Sequence, residues 1–314
     1  MKYDTIIIGG GVAGLGAAIY AGRFQMKTAV IAEKLGGTII LTDDIANYPG
    51  FKNIKGIDLG DKIRDHAKEY NVEIIEEKAT KVEKQADGCF KVTTGSKSLK
   101  TTSIIFATGT EYRKLKVPGE EEFTGKGVHY CALCDGTFYK DKIIGVVGGS
   151  DSAAKEALLL TQYGKKVYII YRKDKIRAEP INLQKVKENK KIEVIPNTNI
   201  TEIKGDKFVN SIILDKPYKG NKEFKLDGLF VEIGHIPLSG LAKSIGVKLN
   251  EKGEIMVDRQ GNTNLKGVFA AGDIVDSRFK QAITGVAEGV TAAYSAYHYI
   301  DTGNFICHTG DEDD

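Results

Sequence analysis

The stretch HYCALCDGTFY, residues 129–139, holds two of the chain's four cysteines, Cys131 and Cys134, with Asp135 directly after the second. Two cysteines at this spacing suit three chemistries. They could be half of a tetrahedral zinc site, a pair that cycles between dithiol and disulfide, or two small buried residues with a packing role alone. Zinc needs two more ligands. Cys307 and His308 could formally complete a Cys₃His set, but they lie beside the acidic terminal GDEDD, and there is no second CxxC. A redox pair fits better. Cysteines in a CxxC, above all at a helix N-terminus, ionise readily, and the thiolate is the reactive form. Asp135 is placed to give or take the proton that thiol–disulfide exchange moves. Cys89 and Cys307 are isolated in the sequence and read as packing or surface residues. His129 reads as structural, although it is close enough to the pair to matter.

The elements that would position this pair show an internal repeat. Residues 3–34 and 141–173 each read strand, glycine turn, helix, strand. The strands are β-branched runs, Ile6–Ile8 and Ile143–Val147, and the turns open at Gly9 and Gly148. SIIFATG (103–109) and GLFVEIG (228–234) are near-continuous apolar runs ending in glycine, as buried parallel strands are. After them comes KGVFAAGDIVD (266–276), another buried strand, and a helical stretch over 282–300. That remainder is too short for a domain of its own, so it is expected to return and complete the first unit. The fold class expected is α/β, with two Rossmann-like three-layer domains, the second inserted into the first. The FAD-type domain would be 1–113 and 241–314, and the NAD(P)H-type domain, carrying the CxxC, 114–240. Pro118-Gly119 and Pro237 mark the crossings.

The two glycine turns differ. Gly9-Gly10-Gly11-Val12-Ala13-Gly14 is a GxGxxG between strand and helix, and Glu33 follows at the end of the next strand. Such a turn lets a pyrophosphate approach the backbone at a helix N-terminus, and the acid suits an unphosphorylated ribose. The second turn, Gly148-Gly149-Ser150-Asp151-Ser152-Ala153, replaces the middle glycine with Ser150. Its next strand ends not in an acid but in Tyr171-Arg172-Lys173, with Arg177 beyond. Cations there suit a 2′-phosphate. Two unlike nucleotide sites in one chain point to a relay, with FAD in the first and NADPH in the second as the common chemical pairing.

The bulk composition removes other classes. With 45 basic and 42 acidic side chains the net charge is +3, which gives no electrostatic case for nucleic acid or anionic membrane. No apolar run reaches the roughly 20 residues that span a bilayer. MKYDTIII enters a strand without a secretory pattern, so a cytoplasmic protein is expected.

Together these residues resemble the low-molecular-weight, bacterial/archaeal-type thioredoxin reductases over about residues 3–300. The resemblance is carried by GGGVAG (9–14), GG with NYPG (36–37, 47–50), ATG (107–109), CALCDG (131–136), GGSDSA (148–153), YRKDKIR (171–177), GHIP (234–237), GVFAAGD (267–273) and FKQA (279–282). It implies that Cys134 faces the flavin as the charge-transfer thiolate, Cys131 attacks the protein substrate, and Asp135 is the acid–base residue. It implies FAD contacts from Gly9, Gly11, Val12, Ala13, Gly14, Glu33, Gly37, Thr38, Asn47, Ala79, Ala107, Thr108, Gly109, Gly272, Asp273, Lys280, Gln281 and Ala282, with Asp273 on the ribityl chain. It implies NADPH contacts from Gly148, Gly149, Ser150, Asp151, Ser152, Ala153, Tyr171, Arg172, Lys173, Arg177 and Gly234. It also implies a homodimer whose domains rotate about crossings near 114 and 240, and a thioredoxin or glutaredoxin-like protein as substrate.

The sequence departs from the family pattern in places. Thr38 replaces a glutamine, Lys280 replaces the arginine of RQA, and HRRxxxR appears as Tyr171-Arg172-Lys173 with Arg177. Lys173 keeps charge but loses bidentate geometry. The alternatives that follow are NADH or another hydride donor, and a different partner such as a peroxiredoxin system. More distant are a ferredoxin or flavodoxin–NADP reductase of the same fold and a flavin-binding protein without disulfide turnover.

Overall fold

The structure, a computed structural model, describes residues 2–41 and 45–303. Cys307, His308 and the acidic tail lie outside the described residues. The chain forms two compact units. One is built from the chain up to Glu111 and from Pro237 onward, the other from Tyr112–Ile236.

The first unit opens with β1 (Lys2–Ile8), α1 (Val12–Arg23), β2 (Thr28–Ile31), α2 (Gly56–Lys68) and β3 (Glu73–Ile75). Then come β4 (Lys81–Lys84), β5 (Phe90–Thr93), β6 (Ser98–Phe106) and β7 (Thr110–Tyr112). The second unit holds β8 (Val128–His129), α3 (Ala132–Asp135), β9 (Ile143–Val147), α4 (Asp151–Leu160), β10 (Lys166–Ile170), α5 (Pro180–Glu188) and β11 (Ile192–Ile195). It continues through β12 (Ile200–Gly205), β13 (Val209–Tyr218), β14 (Asn221–Lys225), β15 (Gly228–Val231) and β16 (His235–Pro237). The chain then returns to the first unit with α6 (Gly240–Ser244), β17 (Val268–Ala270) and α7 (Ala282–Asp301).

In the first unit β3, β2, β1 and β6 lie side by side and parallel, and β17 pairs parallel with the C-terminal end of β6. Both faces of this sheet are covered, which is why its strands are continuous apolar runs. Side chains alternate between faces. Ile7, Val30 and Ile105 pack among Ala13, Ala17, Ala18 and Ala292 of the helical layer, while Ile6, Ile8, Ile31 and Phe106 meet Val82, Phe90 and Val247 on the other side. The helical layer is tight because glycines face its contact. A Cβ on Gly289 of α7 would stand 2.1 Å from the Ala13 carbonyl oxygen of α1, and one on Gly16 would press on Val286.

The second unit repeats the plan. Its sheet is parallel throughout, in the order β11-β10-β9-β15-β8. Ile144, Val146, Ile169 and Phe230 meet the α4 and α5 layer, and Val147, Ile170, Leu229 and Val231 meet the antiparallel sheet β12-β13-β14. That antiparallel layer and the β4–β5 hairpin of the first unit are absent from the sequence-based expectation. β7 and β16, where the chain passes between units, pair with each other.

Candidate active site

Cys131 and Cys134 form a disulfide, with Cα atoms 5.4 Å apart. The backbone explains why they reach each other. Cys131 is extended (φ −149°, ψ 104°) and caps α3, a four-residue helix, so the chain turns back within one helical turn. The Cys134 N–H points at the Cys131 sulfur, 3.1 Å away. With both sulfurs in the bridge, neither is a thiolate available to zinc. Cys131 is buried and Cys134 exposed. Cys89, which the sequence suggested to be isolated, is fully buried, and none of the described cysteines is a free thiol.

Asp135 is not alone. Its carboxylate accepts a hydrogen bond from His129 Nδ1 at 2.9 Å, and His129 Nε2 lies 2.7 Å from the Tyr139 hydroxyl. Burial lowers the His129 pKa against the opposing pull of Asp135, so the ring is neutral at pH 7. Burial also pushes the Tyr139 phenol up to about 12, so it keeps its proton. The network therefore fixes one tautomer: Tyr139 O–H donates to Nε2, and Nδ1–H donates to Asp135. His129 is stacked on Phe230 with centroids 5.2 Å apart. The sequence reading underrated His129 and Tyr139, because nothing in their spacing marks a pair that meets through a fold.

A second group went unnoticed. The Glu156 Oε1 atom on α4 accepts the Ala132 N–H at 3.1 Å, inside the CxxC itself. Its carboxyl is hydrogen-bonded to that of Glu232, which follows β15 and is 4% exposed. One oxygen of each, Glu156 Oε2 and Glu232 Oε1, is buried without a partner among the described residues.

In the first unit several of the expected cofactor residues meet at the turn between β1 and α1. A Cβ on Gly9 (φ +120°) would lie 2.1 Å from the Ala107 carbonyl oxygen, and one on Gly14 would lie 1.9 Å from that of Gly9. Strand, turn and helix can close this tightly only with glycine at both places. At Gly11 a Cβ would meet nothing nearer than the Gly37 Cα at 3.7 Å, so two bare backbones, Gly11 and Gly37, border an open cradle at the start of α1. An anionic diphosphate fits such a site: exposed N–H groups at a helix N-terminus with no side chain in the way. Gly272 lies against Ala13, Thr108 Oγ1 donates to the Leu238 carbonyl, and Leu238 N–H donates to Gly109. Asn47 Nδ2 donates to Gln281 Oε1 at 2.9 Å, and Gln281 caps α7, whose first residue is Ala282. Lys280 is tied to Glu254 and, at 2.9 Å, to the Asp273 carbonyl. Val12 begins α1. Glu33 and Thr38 are exposed at the rim, while Ala79 is buried in the core.

In the second unit Ser150 is exposed and caps α4, and its strand segment bridges Arg177, whose N–H donates to Gly149 at 2.6 Å. Tyr171 does not stand among the cations. It is 7% exposed, and its ring lies so close over Gly149 that a Cβ there would come within 2.5 Å. Arg172, Lys173 and Arg177 are exposed, and among the described residues none is in an ion pair. Asp151 is occupied by Glu179 N–H, Asn182 and Lys155. Ser152 is exposed, Ala153 buried, and Gly234 (φ +99°) precedes β16.

Two nucleotide turns and a redox-competent disulfide in one chain match a known group. The sequence profile of the pyridine nucleotide-disulphide oxidoreductases matches residues 3–289. The chain belongs to this family. A thioredoxin reductase of Bacillus subtilis (strain 168) is 40% identical over 310 residues, covering 95% of each chain. Among solved structures, Lactococcus lactis thioredoxin reductase superposes with a TM-score of 0.91 at 39% identity, covering 96% of this chain and all of that one. The thioredoxin reductase of T. acidophilum gives 0.88 at 35% identity, covering 96% of this chain and 99% of its own. As a pyridine nucleotide-disulphide oxidoreductase, the protein is an enzyme that works with a flavin and a nicotinamide nucleotide, with Cys131–Cys134 as its disulfide.

Proposed function

We propose that the enzyme is an NADPH-dependent thioredoxin-disulfide reductase whose substrate is a thioredoxin or glutaredoxin-like protein, and that it works as a cytoplasmic homodimer. The observation that carries this is the Cys131–Cys134 disulfide beside the Tyr139–His129–Asp135 relay, within a nucleotide-binding unit. The Gly11–Gly37 cradle, Val12, Ala107–Gly109, Asn47, Gly272–Asp273 and Lys280–Ala282 would hold FAD, whose isoalloxazine supplies two-electron chemistry when bound. The turn from Gly148 and the exposed Arg172, Lys173 and Arg177 would hold the dinucleotide, with the cations on a 2′-phosphate.

The chain's own residues then have distinct tasks. Opening Cys131–Cys134 takes up two electrons and a proton, leaving one thiolate and one thiol. By family resemblance Cys134 is the flavin-side sulfur and Cys131 the one that attacks the partner's disulfide. As Cys131 attacks, the Asp135 carboxylate takes the Cys131 proton; forming the mixed disulfide releases the partner's other sulfur as a thiolate, to which Asp135 returns that proton. Attack by Cys134 then frees the reduced partner and restores Cys131–Cys134. His129, neutral and held by Tyr139, keeps the Asp135 carboxylate oriented through Nδ1–H.

NADH is the second reading. Tyr171 is spent on packing over Gly149, and Lys173 lacks the planar fork of arginine, so the 2′-phosphate site is thinner than the family pattern. An anaerobic titration with each nucleotide, read as flavin bleaching, decides the donor. Cys134→Ser should keep flavin reduction and lose thioredoxin reduction. Disulfide turnover surviving in that variant would overturn the thiol relay, and bleaching by neither nucleotide would overturn the donor assignment.

A further inference from the structure

The disulfide turn rests on two acids that the relay above does not use. The Glu156 carboxylate receives the Ala132 N–H, between the two cysteines, at 3.1 Å. Glu232 enters from the end of β15, beside the second glycine turn, where a Cβ on Gly148 would touch its carbonyl oxygen. Two carboxyls can hydrogen-bond to each other only if one carries a proton, since an ionised pair has acceptors and no donor. The hydrogen-bonded pair therefore holds at least one proton, and in its singly protonated form the one negative charge sits on the redox turn. Buried and half-partnered, it is poorly screened.

We propose that Glu156 and Glu232 are positioning residues for the redox turn, and that the charge they share, held against the Ala132 N–H between the cysteines, sets how readily Cys131 and Cys134 ionise once reduced. This rests on the reading of Cys131–Cys134 as the working disulfide. The groups facing the pair are few. Asp135 approaches from α3, and Tyr112 from β7, its phenol held protonated by burial and by the two acids. Lys155, next to Glu156 on α4, is committed to Asp151. Burial raises both carboxyls well above the ordinary range, and Glu232 is raised further by the charge of Glu156. As pH rises the pair goes from neutral to one charge and then two, each step making a nearby thiolate harder to form.

Glu232→Gln keeps the shape and a hydrogen-bond donor for Glu156 but removes the shared proton, leaving Glu156 as the one acid of the pair. The experiment is anaerobic alkylation by iodoacetamide of the dithiothreitol-reduced full-length protein. The peptide containing Cys131 and Cys134 would be followed by mass spectrometry from about pH 5.5 to about pH 9.5. The wild type should show a broadened profile with a second inflection. Glu232→Gln should show one inflection, displaced by about one pH unit, and Glu232→Ala should likewise lose the second. Asp135 and His129 are unchanged in both variants, so they cannot account for the difference. Profiles that superimpose on the wild type, from a pair that reduces freely, would overturn this inference alone. A pair that dithiothreitol leaves oxidised would overturn both it and the reading beneath it.

Discussion

Replacing His129 by phenylalanine tests whether the acid beside the cysteines is held by a network or merely lies near one. Phenylalanine keeps the volume and the stacking on Phe230, so the cost isolates the two ring nitrogens. Losing the bond to the Asp135 carboxylate should cost about 1.5–3 kcal/mol, and losing the bond to the Tyr139 hydroxyl about 1 kcal/mol. The sum, about 2.5–4 kcal/mol, should lower Tm of the second unit by roughly 5–15 °C. Tyr139→Phe alone should cost about 1 kcal/mol. The double variant should cost about 1 kcal/mol less than the sum, because once His129 is gone the Tyr139 hydroxyl has nothing left to lose. Thermal unfolding by calorimetry gives these values, and thioredoxin turnover should fall about tenfold in His129→Phe as Asp135 loses its anchor. The pH dependence has a definite sign. The folded His129 binds its proton less readily than the unfolded side chain, whose pKa is about 6.5. Stability must then be lost as pH falls below about 6.5 toward the lower folded value, and the variant should lack that component. Additive energies with an unchanged pH slope would refute the network.

Two further outcomes bear on the nucleotide sites. Gly14→Ala would place a Cβ 1.9 Å from the Gly9 carbonyl oxygen, so the variant should be purified with little flavin and melt lower, as absorbance and calorimetry would show. Arg172→Ala with Lys173→Ala should raise KM for NADPH at least about tenfold and leave KM for NADH nearly unchanged; equal effects on both would mean that neither cation meets a 2′-phosphate.

What could be seen in the sequence was what local rules enforce. Gly9 and Gly14 announce their turn because any side chain there would strike backbone. The β1, β6, β9 and β15 strands announce themselves because burial on both faces leaves no polar alternation. Cys131 and Cys134 are bonded across one short turn, so spacing sufficed. The missed features depend on partners far along the chain. Glu232 ends an apolar run and reads as a strand leaving the core, yet it is buried against Glu156. The tie between the Lys280 ammonium and Glu254 joins residues 26 apart and has no mark in the local pattern. Tyr171 sits in a basic stretch, and only the fold lays its ring on Gly149. The β12–β14 layer carries irregular registers, with shifts near Glu202 and Gly205, so no clean period of two marks it.

The first unit is split in sequence, and this fixes an order of events during synthesis. β17 completes the pairing of β6, and α7 supplies the surface on which α1 packs through Gly16 and Gly289. Both leave the ribosome only after every residue of Tyr112–Ile236 has been made. The nucleotide turn at Gly9 thus waits for segments made after the whole second unit, and α1 must be kept from wrong partners meanwhile. The second unit, being contiguous, can close its own core first. It can also be cut out as one uninterrupted fragment, whereas the first can be made alone only by joining Glu111 to Pro237.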